Sequence, residues 1–170
     1  AHRWILDIVD EMSGWGEAIP CSSRDEAGAK LRKVLQQIVP PHRVARVHSD
    51  NGAEFVGPQS EWVKTLTKSQ PPIRQTTSAP YEPQGNGRCE RFNQSVINAL
   101  RTMLLLTDVK LWCWASRYLS FLWNNTVRSH GKKSPFEWRF DRQPRCEDHL
   151  KRFGCLMVGM TREGRKDGKL

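Results

Sequence analysis

The chain has 170 residues, enough for one ordinary domain with a real apolar core. Its 38% hydrophobic and 26% charged residues exclude a disordered chain, and no apolar run approaches the ~20 residues that cross a bilayer. The net charge of +9 is lopsided: residues 1–100 carry 12 Lys and Arg against 11 Asp and Glu, whereas residues 101–170 carry 15 against 7, a bias suited to nucleic acid before membrane.

Trp4-Ile5-Leu6-Asp7-Ile8-Val9 reads as a short, mostly apolar strand, too soon acidic to be a signal peptide. Ser13-Gly14 turns the chain, and residues 15–19 alternate as a hairpin partner should. Ser23-Arg24-Asp25-Glu26 matches a capping box. The helix it opens carries Ala27, Leu31, Val34, Leu35 and Ile38 as an apolar stripe and stops at Pro40-Pro41. Residues 43–48 alternate as a strand that ends at the turn former Ser49-Asp50-Asn51-Gly52. A short helix over 58–67, a brief strand over 73–76 and a loop over 78–87 follow. A long helix is expected from 88 to 106. Thr107-Asp108 then caps a very apolar helix from 110 to about 125. Beyond Gly131 come a helical turn over 135–138 and a strand over 154–160. This order predicts an α/β layer fold, a mixed sheet covered by helices.

Two carboxylates stand out by placement. Asp50 lies at the C-terminal end of a predicted strand, the edge where ligands gather in open α/β sheets, although Asp-Asn-Gly is also simply a good turn. Glu90 lies in the first turns of the long helix. Phe92, Val96, Ala99, Leu100 and Met103 share one face of that helix, and Glu90, Gln94 and Arg101 share the opposite one. Glu90 therefore points to solvent or to a site, and its helix-dipole complementarity is the plain alternative. Magnesium takes one or two carboxylates plus substrate phosphate, so acids from separate elements are a workable arrangement.

The cysteines at 21, 89, 113, 146 and 155 show no two-residue spacing and read as reduced thiols. Cys146, His149 and Cys155 lack a fourth ligand for a structural metal. Trp112, Trp114 and Trp123 lie in the apolar helix and read as core or interface residues rather than base-stacking platforms.

The run Val47-His48-Ser49-Asp50-Asn51-Gly52-Ala53-Glu54-Phe55 resembles the second-aspartate motif of retroviral and retrotransposon integrases. The run Ala79-Pro80-Tyr81-Glu82-Pro83-Gln84-Gly85-Asn86-Gly87-Arg88-Cys89-Glu90-Arg91-Phe92-Asn93 resembles their glutamate motif. The two acids stand in the right order, separated by 39 residues. Pro135-Phe136-Glu137-Trp138 and His149-Leu150-Lys151-Arg152-Phe153-Gly154-Cys155 are similar to the segment after the core in copia-type elements. The resemblance runs from about Trp4 to Cys155.

It implies a ribonuclease H-like mixed sheet flanked by helices, with a catalytic core over 1–127 and a basic extension over 128–170. It also implies an Asp, Asp, Glu triad holding two Mg2+ (or Mn2+) ions, with Asp50 as the second acid and Glu90 as the third. The first acid is expected on a strand preceding residues 4–9, in a segment this sequence does not contain, and neither Asp7 nor Asp10 is promoted to that role. The fragment is thus expected to bind metal poorly. Asn51 would support Asp50. Tyr81, Gln84, Arg88, Asn93, Gln94 and Arg101 would contact DNA, with 81–87 forming the loop beside the DNA end. The implied activity is processing of DNA 3′ ends and strand transfer by a domain of a retrotransposon polyprotein. The implied partners are element ends and target DNA, in a homo-oligomer that acts in the nucleus without a membrane. An inactive relic that only binds nucleic acid is the alternative.

Overall fold

In a computed structural model, the described residues are 2–38, 40, 42–78, 86–127, 131–145 and 150–155. The first strand, β1 (Trp4–Val9), pairs antiparallel with β2 (Gly16–Cys21) in the register Leu6 opposite Ile19. Asp10 closes the hairpin: its carboxylate accepts from Ser13 N at 2.9 Å and is also bonded to the Ser13 hydroxyl, and Gly14 takes the positive φ of 72°. The second pair, β3 (Arg46–Ser49) and β4 (Arg74–Thr77), is parallel, with His48 opposite Thr76. The two pairs share no ladder.

Helices cover both faces of β1–β2. On one face Leu6 and Cys21 join Ala27 and Leu31 of α1 (Ala27–Gln36) and Trp62 and Leu66 of α3 (Glu61–Lys68). On the other, Ala18 joins Phe92, Val96 and Leu100 of α4 (Gly87–Leu104) and Ala115 and Leu119 of α5 (Trp112–Asn125), with Ile5 and Val9 packed alongside. A strand buried on both faces is apolar nearly throughout, which is why residues 4–9 show no alternation. Two close approaches fix this packing. A Cβ on Gly28 would lie 2.3 Å from Trp62 N, so α1 and α3 meet backbone to backbone there. The outer edge of β2 is sealed by α5: Asn124, 2% exposed, exchanges two 2.8 Å hydrogen bonds with Gly16 N and O, and Ala18 N donates to Ser120 Oγ at 2.8 Å. Covering an edge this way blocks strand addition at β2.

Several expectations need correction. The capping box at Ser23 does not form. The chain enters α1 through a 3-10 turn (Arg24–Glu26), the Ser23 side chain caps nothing, and Glu26 turns to Lys30 at 3.3 Å. A capping box occurs instead at Ser134, which opens α6 (Pro135–Phe140) with Glu137 N to Ser134 Oγ at 3.2 Å and Ser134 N to Glu137 Oε2 at 2.6 Å. The helix expected over 58–67 is α3, which starts only after its cap at Ser60, and a further one, α2 (Ala53–Val56), too short to show periodicity, was not foreseen. Gly154 and Cys155 lie in a turn rather than a strand, and 156–160 fall outside the described residues. The segment past residue 127 shares aromatic contacts with the core, Phe140 against Trp15 at 5.8 Å and Phe153 against Tyr118 at 6.0 Å. Among the described residues, no helix is long and apolar enough to cross a membrane.

Candidate active site

A cleft of about 750 Å³ runs between β1 and β3, within the size range of ligand sites. Asp50 enters it from the end of β3 and Glu90 from the first turns of α4, so the two acids predicted to act together line one cavity. The turn after β3 is set by short-range chemistry. Asp50 Oδ1 accepts from Gly52 N at 3.0 Å, and Asn51 Nδ2 donates to Ser78 O at 2.8 Å, which ties the turn to the chain leaving β4. His48 adds a second tie: Nδ1 pairs with Thr76 Oγ1 at 2.9 Å and Nε2 with Ser78 Oγ at 3.0 Å. Gly52 leaves room for carboxylates on both sides, since a Cβ there would lie 2.8 Å from Glu54 Oε2 and 3.1 Å from Asp50 Oδ1.

Asp7, not promoted from sequence, also lines the cleft. Burial pushes its carboxyl up to about 6, and its Oδ1 is buried without a hydrogen-bond partner. Cys89, which precedes Glu90, donates its thiol to Asp7 O at 3.6 Å. Burial first, then the charges of Asp7, Asp50 and Glu90, raise that thiol to about 11, so all three carboxylates act on one point at the head of α4. Asp10, by contrast, is spent on its hairpin. Arg24 brings a cation to the cleft, 4.2 Å over the Trp4 ring and 3.9 Å from the Glu54 carboxylate. Asp7 was visible as a carboxylate interrupting an apolar strand. Glu54, His48 and Arg24 carried no such signal.

The remaining expected contacts are dispersed. Asn93 lines the cleft beside Glu90. Arg88 is exposed and donates to Glu11 O of the β1–β2 turn; Gln94 is exposed and donates to Asn98 at 3.1 Å. Arg101 is exposed about 16 Å beyond Glu90 along α4. Tyr81 and Gln84, with Cys146 and His149 of the weighed metal cluster, lie outside the described residues. Among the described residues, no group of three or more His, Cys, Asp and Glu side chains could hold a metal ion. The donor set of Asp50 and Glu90 is nonetheless hard oxygen, which is the pair that magnesium uses with phosphate completing its shell.

No protein-family model matches the chain. The Gag-Pol polyprotein of Feline leukemia virus is 31% identical over 144 residues, covering 84% of this chain and 8% of that protein. The HTLV-2 integrase catalytic core domain, solved in complex with magnesium in a trimeric form, superposes with a TM-score of 0.63 at 18% identity, over 79% of this chain and 83% of that one. The simian T-cell lymphotropic virus intasome, solved with PP2A regulatory subunit B56 gamma, gives 0.62 at 20% identity, over 93% of this chain and 58% of that one. The fold is therefore mixed α/β and ribonuclease H-like, as in these integrase catalytic cores. The chain is thus similar in sequence to a retroviral Gag-Pol polyprotein, of which it spans 8%, and similar in fold to integrase catalytic cores.

Proposed function

We propose that this domain catalyses divalent-metal-dependent DNA 3′-end processing and strand transfer, with Asp50 and Glu90 holding the cation. The convergence of these two acids, separated by 39 residues in sequence, on one cleft carries the reading. Asp50 keeps Oδ2 clear of the Gly52 amide that engages Oδ1, and the Asn51 and His48 ties hold its turn rigid. Glu90 is exposed at the start of α4, where a phosphate can approach. A bound Mg2+ or Mn2+ would neutralise phosphate oxygens and acidify an attacking hydroxyl. In the transfer itself an oxygen nucleophile attacks phosphorus and a 3′ oxygen leaves. One phosphodiester replaces another, so no external energy source is needed. Arg88, Arg91 and Arg101 offer phosphate attraction along α4, binding that is salt-sensitive and weakly dependent on sequence.

The partners in this reading are element ends and target DNA, and the complex works in the nucleus. A homo-oligomer is supported by apolar surface on and before α5, where Trp114 is 65% and Leu106 88% exposed. A copia-type parent element is supported by the runs at 135–138 and 149–155, and reverse transcriptase sequence downstream in the parent gene is the expected finding. The absence of a three-acid cluster among the described residues favours a second reading, an inactive relic that binds DNA alone. Strand transfer by a longer polyprotein segment, assayed with Mg2+ or Mn2+, separates the two. Asp50→Asn and Glu90→Gln should each lower the rate by roughly 100-fold or more with circular dichroism unchanged. Rates unaffected by either change would defeat the proposal, and DNA binding without any transfer would favour the relic.

A further inference from the structure

A second groove, of about 610 Å³, lies between the β1–β2 turn, the end of α1 and α6, and shares no lining residue with the cleft. The sequence Pro-Phe-Glu-Trp-Arg-Phe explains its character. Aromatic residues two apart cannot all face one way on a helix, so Phe136 and Phe140 share one side of α6 and Trp138 takes the other. Phe136 and Phe140 pack on Trp15, with ring centres 6.5 and 5.8 Å away. Trp138 is left 58% exposed on the groove, beside Ile38, the edge of Phe140 and the exposed Met12.

Cations lie over these rings. Lys133 Nζ is 5.8 Å from the centre of the Trp138 ring, Arg139 is 4.5 Å from that of Trp15, and Arg142 is 5.3 Å from that of Phe136. Residues 131–145 carry five Lys and Arg against two Asp and Glu, and both acids are engaged. Glu137 closes the capping box with Ser134, and Asp141 pairs with Lys133 at 3.5 Å. That pair is so open to water, its carboxylate 95% exposed, that it contributes little and yields readily to a phosphate. The β1–β2 turn, which brings Met12 to the groove, also meets the head of α4. Glu11 O accepts from Arg88 there, and the Glu11 carboxylate holds Arg46 at 3.1 Å.

We propose that this groove binds an unpaired stretch of DNA, with a base stacked on Trp138 and the neighbouring phosphate on Lys133. Stacking needs a base freed from its duplex, and an exposed ring flanked by cations offers both contacts that a single strand uses. A wholly apolar partner would instead bury the cations without compensation, at a cost. The choice of DNA over RNA rests on the function proposed for the cleft at Asp50 and Glu90. The groove itself requires neither acid and no metal ion.

Oligonucleotide binding in EDTA tests it. With oligothymidylate of about ten nucleotides, the indole N–H of Trp138 should shift in NMR spectra of the 170-residue chain. Trp138→Leu should weaken binding roughly tenfold with circular dichroism unchanged. Lys133→Gln should lower the slope of log affinity against log salt by about 0.7. Asp50→Asn combined with Glu90→Gln should leave the Trp138 shift in place, which separates this site from the catalytic reading; loss of the shift there would overturn an independent groove. An abasic strand of equal length that shifts Trp138 as far would overturn base stacking. Unchanged affinity in Trp138→Leu would overturn the site, and preference for oligouridylate would overturn the choice of DNA. A Trp138 signal that ignores every strand but moves in a longer polyprotein segment would assign the groove to protein and likewise overturn the proposal.

Discussion

At the scale of single residues, the most informative side chain is Asp7. It shares the face of β1 with Ile5 and Val9, which pack against α4 and α5, so an ionised carboxylate there sits among apolar neighbours. Burial holds its acid form up to about 6, against an ordinary 3.8. Between those values the folded chain binds more protons than the unfolded one, so stability must fall as pH rises from about 4 to 6. Asp7→Asn removes that slope and should gain on the order of 2 kcal/mol at pH 7. Urea midpoints measured from pH 4 to 7 on both proteins check this, and parallel profiles would contradict it. Asp50 and Glu90 were legible because motif and position coincide for each. Asp7 needed the third dimension, since only the packing of α4 onto β1 shows that its carboxylate is enclosed. The roles of His48 and Glu54 were equally hidden, because each is defined by contacts made across the turn after β3.

At the scale of elements, apolar periodicity located most helices and strands within a few residues. The stripe Phe92, Val96, Leu100 is buried, as a helical repeat of the core face requires. Local chemistry misled where tertiary contacts outweigh it. Ser23 and Glu26 satisfy a capping pattern, yet Glu26 pairs with Lys30 instead. Gly28 shows the same lesson in reverse. In a helix interior Gly→Ala ordinarily stabilises by about 1 kcal/mol. Here the added Cβ would meet the α3 backbone at 2.3 Å, with nothing flexible to give way. Gly28→Ala is therefore expected to cost about 1–3 kcal/mol. A urea midpoint shifted upward would show that α1 and α3 do not meet as described.

At the scale of the whole molecule, the open cleft between the two strand pairs unites the observations. Sequence alone foresaw a mixed sheet flanked by helices, but not that its strands form two separate pairs, because pairing depends on contacts distant in the chain. The cleft between them gathers Asp50 and Glu90 and leaves Asp7 and Trp62 unsatisfied. For the proposed chemistry, the strand-end aspartate and the helical glutamate must grip one cation. Manganese-induced broadening in amide NMR spectra measures that directly, even for weak binding. The amides of Asn51, Gly52, Glu90 and Arg91 should broaden together at low Mn2+, and Asp50→Asn or Glu90→Gln should each remove the effect at both segments. Broadening at one segment alone, or broadening that survives both substitutions, would contradict a shared site.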